Sequence, residues 1–119
     1  MKIAISSQGN GLNSQMDPRF GRAKSFVIYD TETKNYQDVS NTQNLQATQG
    51  AGIQAAKTVI DSGAEILITG NVGPKAFSTL NSAGVKIFIG ESGTVSNMIN
   101  NYINNELKMT DGANVEGHW

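Results

Sequence analysis

Residues 65–89, EILITGNVGPKAFSTLNSAGVKIFI, decide the fold. Glu65 to Thr69 is a short, almost wholly apolar run with two β-branched isoleucines and a threonine, the pattern of a buried strand. Gly70-Asn71-Val72-Gly73 is a loop. Pro74 suits the first turn of a helix, because its missing N–H has no intrahelical partner there anyway. That helix turns Ala76, Phe77 and Leu80 inward and ends near Gly84. Val85 to Ile89 is the next strand. Two strands joined by a helix run parallel with a right-handed crossover, so the stretch is one βαβ unit.

The reading extends outward in both directions. Upstream, Gly50-Ala51-Gly52 opens a helix that runs to about Asp61. Ile53, Ala56, Val59 and Ile60 form its apolar stripe, and Gly63 takes the stop position. Downstream, Gly90-Glu91-Ser92-Gly93 leads to Thr94, an N-cap. A third helix follows, with Val95, Met98, Ile99, Tyr102 and Ile103 on one stripe. The start of the chain is different. Lys2 to Ser6 alternates as a first strand, Ser7 to Gly11 is a polar loop, and Ser14 to Lys24 is broken by Asp17-Pro18 and Gly21. Ser25 to Tyr29 and Tyr36 to Val39 flank the turn cluster Asp30 to Asn35 and pair as an antiparallel hairpin. The element order is βββαβαβα. It predicts a three-layer α/β/α domain on a mixed five-stranded sheet, order 3-2-1-4-5, with strand two antiparallel to its neighbours. Residues 1–107 form the single domain, and the aperiodic residues 108–119 are expected to be a loose tail.

Composition narrows the chemistry. The 119 residues contain no cysteine, which removes a disulfide framework, a zinc ribbon, a thiolate-held Fe–S centre and a catalytic thiol. A net charge of −1 is the wrong balance for a nucleic-acid binder. No apolar run approaches the roughly 18 residues of a membrane span, and the opening MKIAISSQGNG is not a signal peptide. The expectation is a cytoplasmic protein without nucleic-acid or membrane partners. The only two arginines, Arg19 and Arg22, stand three residues apart. Arginine binds anions through a planar fork that lysine lacks.

In an open α/β sheet, ligands bind beyond the carboxyl ends of the parallel strands. Four loops should meet there: Ser7-Gln8-Gly9, Gly50-Ala51-Gly52, Gly70-Asn71-Val72-Gly73 and Gly90-Glu91-Ser92-Gly93. The helix N-termini at this edge present amides that favour an anion, and glycines let a ligand reach the backbone. Ordinary βα-turn chemistry would use the same glycines, and none of the loops is a P-loop or a GxGxxG motif. The second constellation is Asp17-Pro18-Arg19-Phe20-Gly21-Arg22-Ala23. It reads in two ways: two guanidiniums clamping an anion under an aromatic shield, or arginines paired with Asp17 or Asp30 while Phe20 plugs the core.

DPRFGRA behind a KIAIS strand, then FVIYDTET, GAGIQAAK, ILITGNVGPKAFSTL and AGVKIF, resembles the dinitrogenase iron–molybdenum cofactor biosynthesis family, over about residues 1–107. RFGRA and NVGPKAF are the most specific segments. The resemblance implies a ribonuclease H-like α/β/α layer and the binding or carrying of a metal–sulfur cluster. That cluster would contain molybdenum with iron or copper, held without covalent attachment, as in orange-protein relatives. A cofactor-delivery protein is an implied partner. Many cofactor-carrying members have a histidine shortly before the glycines of the first helix, where this chain has Gln46, Thr48 and Gln49. Its only histidine is His118. Met16 and His118 are secondary candidates for metal contact.

The candidate binding set is therefore Ser7, Gln8, Arg19, Phe20, Gly21, Arg22, Gln49, Gly50, Gly52, Asn71, Gly73 and Gly93. The expected function is a non-catalytic binding or carrier module for an anionic metal–sulfur cluster. Two alternatives stay open: a small-anion or protein-interaction regulatory module without metal, and a metal-dependent nuclease or phosphotransferase. The last needs carboxylates converging at strand ends, and Glu65 lies at the wrong end of its strand. Ser6, Ser7 and Thr69 have no histidine inside the domain to activate them.

Overall fold

The computed structural model describes residues 1–42 and 50–114. It contains β1 (Lys2–Ser7), a 3-10 turn (Phe20–Arg22), β2 (Ser25–Asp30), β3 (Tyr36–Ser40), α1 (Ala51–Asp61), β4 (Ile66–Thr69), α2 (Pro74–Ser82), β5 (Lys86–Ile89), α3 (Val95–Ile103) and β6 (Lys108–Thr110). The strand order is β3-β2-β1-β4-β5-β6. β1, β4 and β5 are parallel, and β2 lies antiparallel to both β1 and β3.

The expected 3-2-1-4-5 order is present, but the sheet has six strands, not five. Lys108–Thr110, assigned to a loose tail, pairs antiparallel with β5. Its three residues are too few to show a period, and none is buried, so the strand exists because the β5 edge offers unpaired backbone groups.

Side-chain alternation splits the core into two layers. Ala4, Phe26, Ile28, Leu67 and Ile87 face α1 and α2, whose Ala55, Ala56, Val59, Ala76 and Leu80 complete that layer. Ile3, Ile5, Val27, Ile66 and Ile68 face α3, through Val95, Met98 and Ile99. Helices thus cover both faces, because strands buried on both sides need two apolar covers. Ile103 departs from the expected stripe and is 55% exposed. At 100° per residue it stands about 90° from the stripe's centre. The chain reverses between β2 and β3 through Lys34 at φ 63°.

Candidate functional site

The carboxyl ends of β1, β4 and β5 lie at one edge of the sheet, and the N-termini of α1, α2 and α3 lie there with them. The three helix starts are built differently. α3 carries a capping box: Thr94 Oγ1 accepts from the Asn97 N–H and Asn97 Oδ1 accepts from the Thr94 N–H, both at 3.0 Å. The β1 loop seals the same end. Val95 N–H donates to Ser14 O and Ser96 N–H to Leu12 O, each at 2.9 Å. The expectation of open amides at this helix is therefore corrected, because the chain's own carbonyls occupy them.

The neighbouring candidates serve that seal. Ser7 is fully buried, and its Oγ meets Ser14 Oγ at 2.6 Å and Gly9 O at 2.9 Å. Gln8 N–H donates to Gln15 O, and Gly93 O accepts from Met16 N–H. Met16 is buried in the α3 layer. Its thioether converges with that of Met98 on Gly90, where a Cβ would stand 3.3 Å and 2.5 Å from the two sulfurs. Ser7, Gly93 and Met16 are thus committed to packing and internal bonds.

Among the described residues, the other two helix starts carry no side-chain cap. The N-caps of α1 and α2 are Gly50 and Gly73, neither with a side-chain cap, and neither helix has an acid in its first turn. Gly50 takes the left-handed conformation, φ 80°, which glycine adopts without strain. Among the described residues, the amides of Gly52, Ile53, Lys75 and Ala76 meet no acceptor. Lys75 adds a cation at the second position of α2, where a helix disfavours one. The sequence reading missed it; the signal was a lysine beside an N-terminal proline, where acids are usual.

The Asp17–Ala23 segment lies against α1 and the β4–α2 loop. Its 3-10 turn packs on α1. Asn71 N–H donates to Pro18 O at 2.6 Å, and Phe20 N–H donates to Asn71 O at 3.2 Å. At Gly70 a Cβ would stand 2.7 Å from Pro18 Cβ, so only glycine allows this approach. Arg19 Nη2 lies 3.2 Å from the buried Asp17 carboxylate, with the arginine side chain 49% exposed. Nε also donates to Asp17; of the five guanidinium N–H groups, three point elsewhere. Arg22 is half-buried and closes the turn.

Phe20 bears on the two readings of this segment. It is 1% exposed, and its ring sits 5.4 Å from that of Phe26, centre to centre. It plugs the core. Gly21 is buried beneath the turn, where Asn41 Nδ2 donates to its carbonyl at 3.5 Å and to Ala23 O at 2.8 Å. Gln49 and His118 lie outside the described residues.

The structure therefore pairs Arg19 with Asn71, packs the turn that carries Arg22 on α1, which Gly50 and Gly52 open, and packs α1 on α2, which Gly73 opens; Ser7, Gln8 and Gly93 lie on the sealed α3 side. Among the described residues no three His, Cys, Asp or Glu side chains gather to hold a metal ion, and no helix is long and apolar enough to cross a membrane. The donor set is amides and guanidiniums, which suits an anion that brings its own ligands and not a bare cation.

A family model described as dinitrogenase iron-molybdenum cofactor matches residues 1–105. The chain is similar to the apo form of the orange protein from Desulfovibrio gigas, with 40% identity, 96% of each chain covered and a TM-score of 0.92. It is similar to a NifB-like protein from Thermotoga of the DUF35 family, with 39% identity, 98% of each chain and a TM-score of 0.86. An uncharacterised protein of Methanocaldococcus jannaschii is 27% identical over 111 residues, 91% of this chain and 90% of that one.

Proposed function

The chain belongs to the dinitrogenase iron-molybdenum cofactor family, and from that premise we propose that it is a non-catalytic carrier of an anionic metal–sulfur cluster. The cargo is of the iron–molybdenum or molybdenum–copper sulfide type. The open starts of α1 and α2 hold it, with Arg19 and Arg22 beside them.

One observation carries this reading. Among the described residues, α3 has a full cap while α1 and α2 begin at glycines with no side-chain acceptor and no acid in the first turn. A glycine N-cap forgoes only a few tenths of a kcal/mol against serine or aspartate, so what marks these two starts is the lack of a side-chain acceptor among the described residues, beside two arginines, and not a large stability cost. An anionic cargo supplies the missing acceptor. With no cysteine in the chain, such a cargo keeps its own sulfide ligands, and the protein recognises its charge and shape.

The test is a titration of the apo-protein with tetrathiomolybdate and cuprous ion, read by visible absorption. The carrier reading expects saturable uptake that weakens in the Arg19→Ala/Arg22→Ala double variant while the circular dichroism holds. A flat titration removes it. Equal binding of sulfate or molybdate would favour a small-anion regulatory module instead.

A further inference from the structure

We propose that Asn114 is a positioning residue for this site: the chain after β6 folds back and clamps the β4–α2 loop through it. The inference rests on the carrier reading above. Asn114 makes three hydrogen bonds to the loop. Its Oδ1 accepts from the Val72 N–H at 2.8 Å, its Nδ2 donates to Gly70 O at 2.9 Å, and its backbone N–H donates to Val72 O at 3.1 Å. The partners are 42 and 44 residues away in sequence. Thr110 Oγ1 donates to Gly112 O at 2.7 Å and shapes the turn that delivers Asn114.

The loop it grips, Gly70 to Gly73, leads directly into the uncapped start of α2. Asn71 is held from one side by Pro18 and Phe20, and Gly70 and Val72 are held from the other by Asn114. The backbone between β4 and α2 is thus fixed from both sides. The Lys75 and Ala76 amides that follow it inherit a set direction. Pre-organised donors bind an anion without the cost of ordering the loop at the moment of binding.

A second role would fit one of the three bonds but not the others. Asn114 Oδ1 on the Val72 amide resembles an internal stand-in for a ligand oxygen, displaced when cargo arrives. The Gly70 and Val72 carbonyls argue against that, because both accept from Asn114 and an anion would repel them.

The experiment compares the full-length wild type with Asn114→Ala and Asn114→Gln. Each is titrated with tetrathiomolybdate and cuprous ion, and exchange of the Val72 amide hydrogen is followed in parallel. Asn114→Ala should speed Val72 exchange and weaken uptake by about tenfold, the weight of one or two net hydrogen bonds. Asn114→Gln, which keeps the carboxamide, should recover part of both. Faster Val72 exchange with unchanged or tighter uptake overturns the proposal, and tighter uptake identifies the stand-in. A wild type that takes up nothing removes the carrier reading and this inference with it. Wild-type uptake that Asn114→Ala leaves untouched removes the inference alone.

Discussion

Arg19 reaches back two residues to Asp17, with Nη2 3.2 Å from Oδ2 and Nε 3.3 Å from Oδ1, while the Arg19 N–H also donates to Oδ1 at 2.9 Å. The carboxylate is buried and the guanidinium half-exposed. Asp17 therefore orients Arg19 and also competes with any anion for it. Asp17→Asn keeps an acceptor for the Arg19 N–H and removes the charge. Uptake of tetrathiomolybdate should tighten roughly three- to tenfold, the size of one partly screened unit charge. Unchanged affinity at low salt would show that Arg19 is structural only.

Phe20 should matter to stability and not to binding. Its ring fills the α1–α2 layer beside Phe26. Phe20→Ala should cost about 3–5 kcal/mol in urea denaturation, the range for a large core truncation. Phe20→Leu should cost much less and leave uptake intact. Loss of uptake in a well-folded Phe20→Leu would restore the aromatic shield.

The α3 cap gives an internal contrast. Thr94→Ala removes one arm of the capping box and should cost about 1 kcal/mol. It should not alter uptake, because the Val95 and Ser96 amides at the helix start stay occupied by Ser14 and Leu12. A binding defect in Thr94→Ala would mean that α3 belongs to the site after all.

The fold was legible where period and punctuation agree. Pro74, Gly84 and the two apolar strands around them define a βαβ unit with few alternatives. β6 was not legible, because three residues carry no period and the strand depends on an edge formed elsewhere. The candidate site was legible in part as a set of residues to examine. Arg19 and Arg22 stood out by rarity, and Gly50 and Gly73 by position. The inward turn of Phe20 was not, since an aromatic in a loop reads the same whether it plugs or covers. Asn114 is one of 13 asparagines, and only its place against Gly70 and Val72 separates it from the rest.

Acid should loosen the β2–β3 turn before it touches the core. The Asp30 carboxyl is held below its ordinary value, first by the Glu32 N–H at 2.8 Å, which outweighs the opposing desolvation. The Thr33 N–H, the N-terminal charge and Lys2 add to the lowering. A depressed carboxyl stabilises the fold above its unfolded pKa, and that contribution disappears as pH falls through the folded one. The Glu32 and Thr33 amide resonances should therefore titrate with a midpoint below that of an ordinary aspartate. Asp30→Asn should abolish the titration, and a midpoint at or above the ordinary value would contradict the turn geometry.

Lys75 sets stability and function in opposition. It occupies the first turn of α2, after Gly73 and Pro74. A positive charge there meets the positive end of the helix dipole, and a glutamate would be better placed by about 0.3–1 kcal/mol. Lys75→Glu should therefore raise the midpoint of thermal unfolding slightly. The same change puts a negative charge beside the Lys75 and Ala76 amides, which meet no acceptor among the described residues, so tetrathiomolybdate uptake should fall by an order of magnitude or more, most steeply at low salt. Lys86→Glu supplies the control, because Lys86 begins β5 at the opposite edge of the sheet. It makes the same charge change and should leave uptake nearly unaltered. Equal losses in the two variants would mean that net charge, not the start of α2, governs binding. A stabilised Lys75→Glu that still binds would show that the anion sits elsewhere.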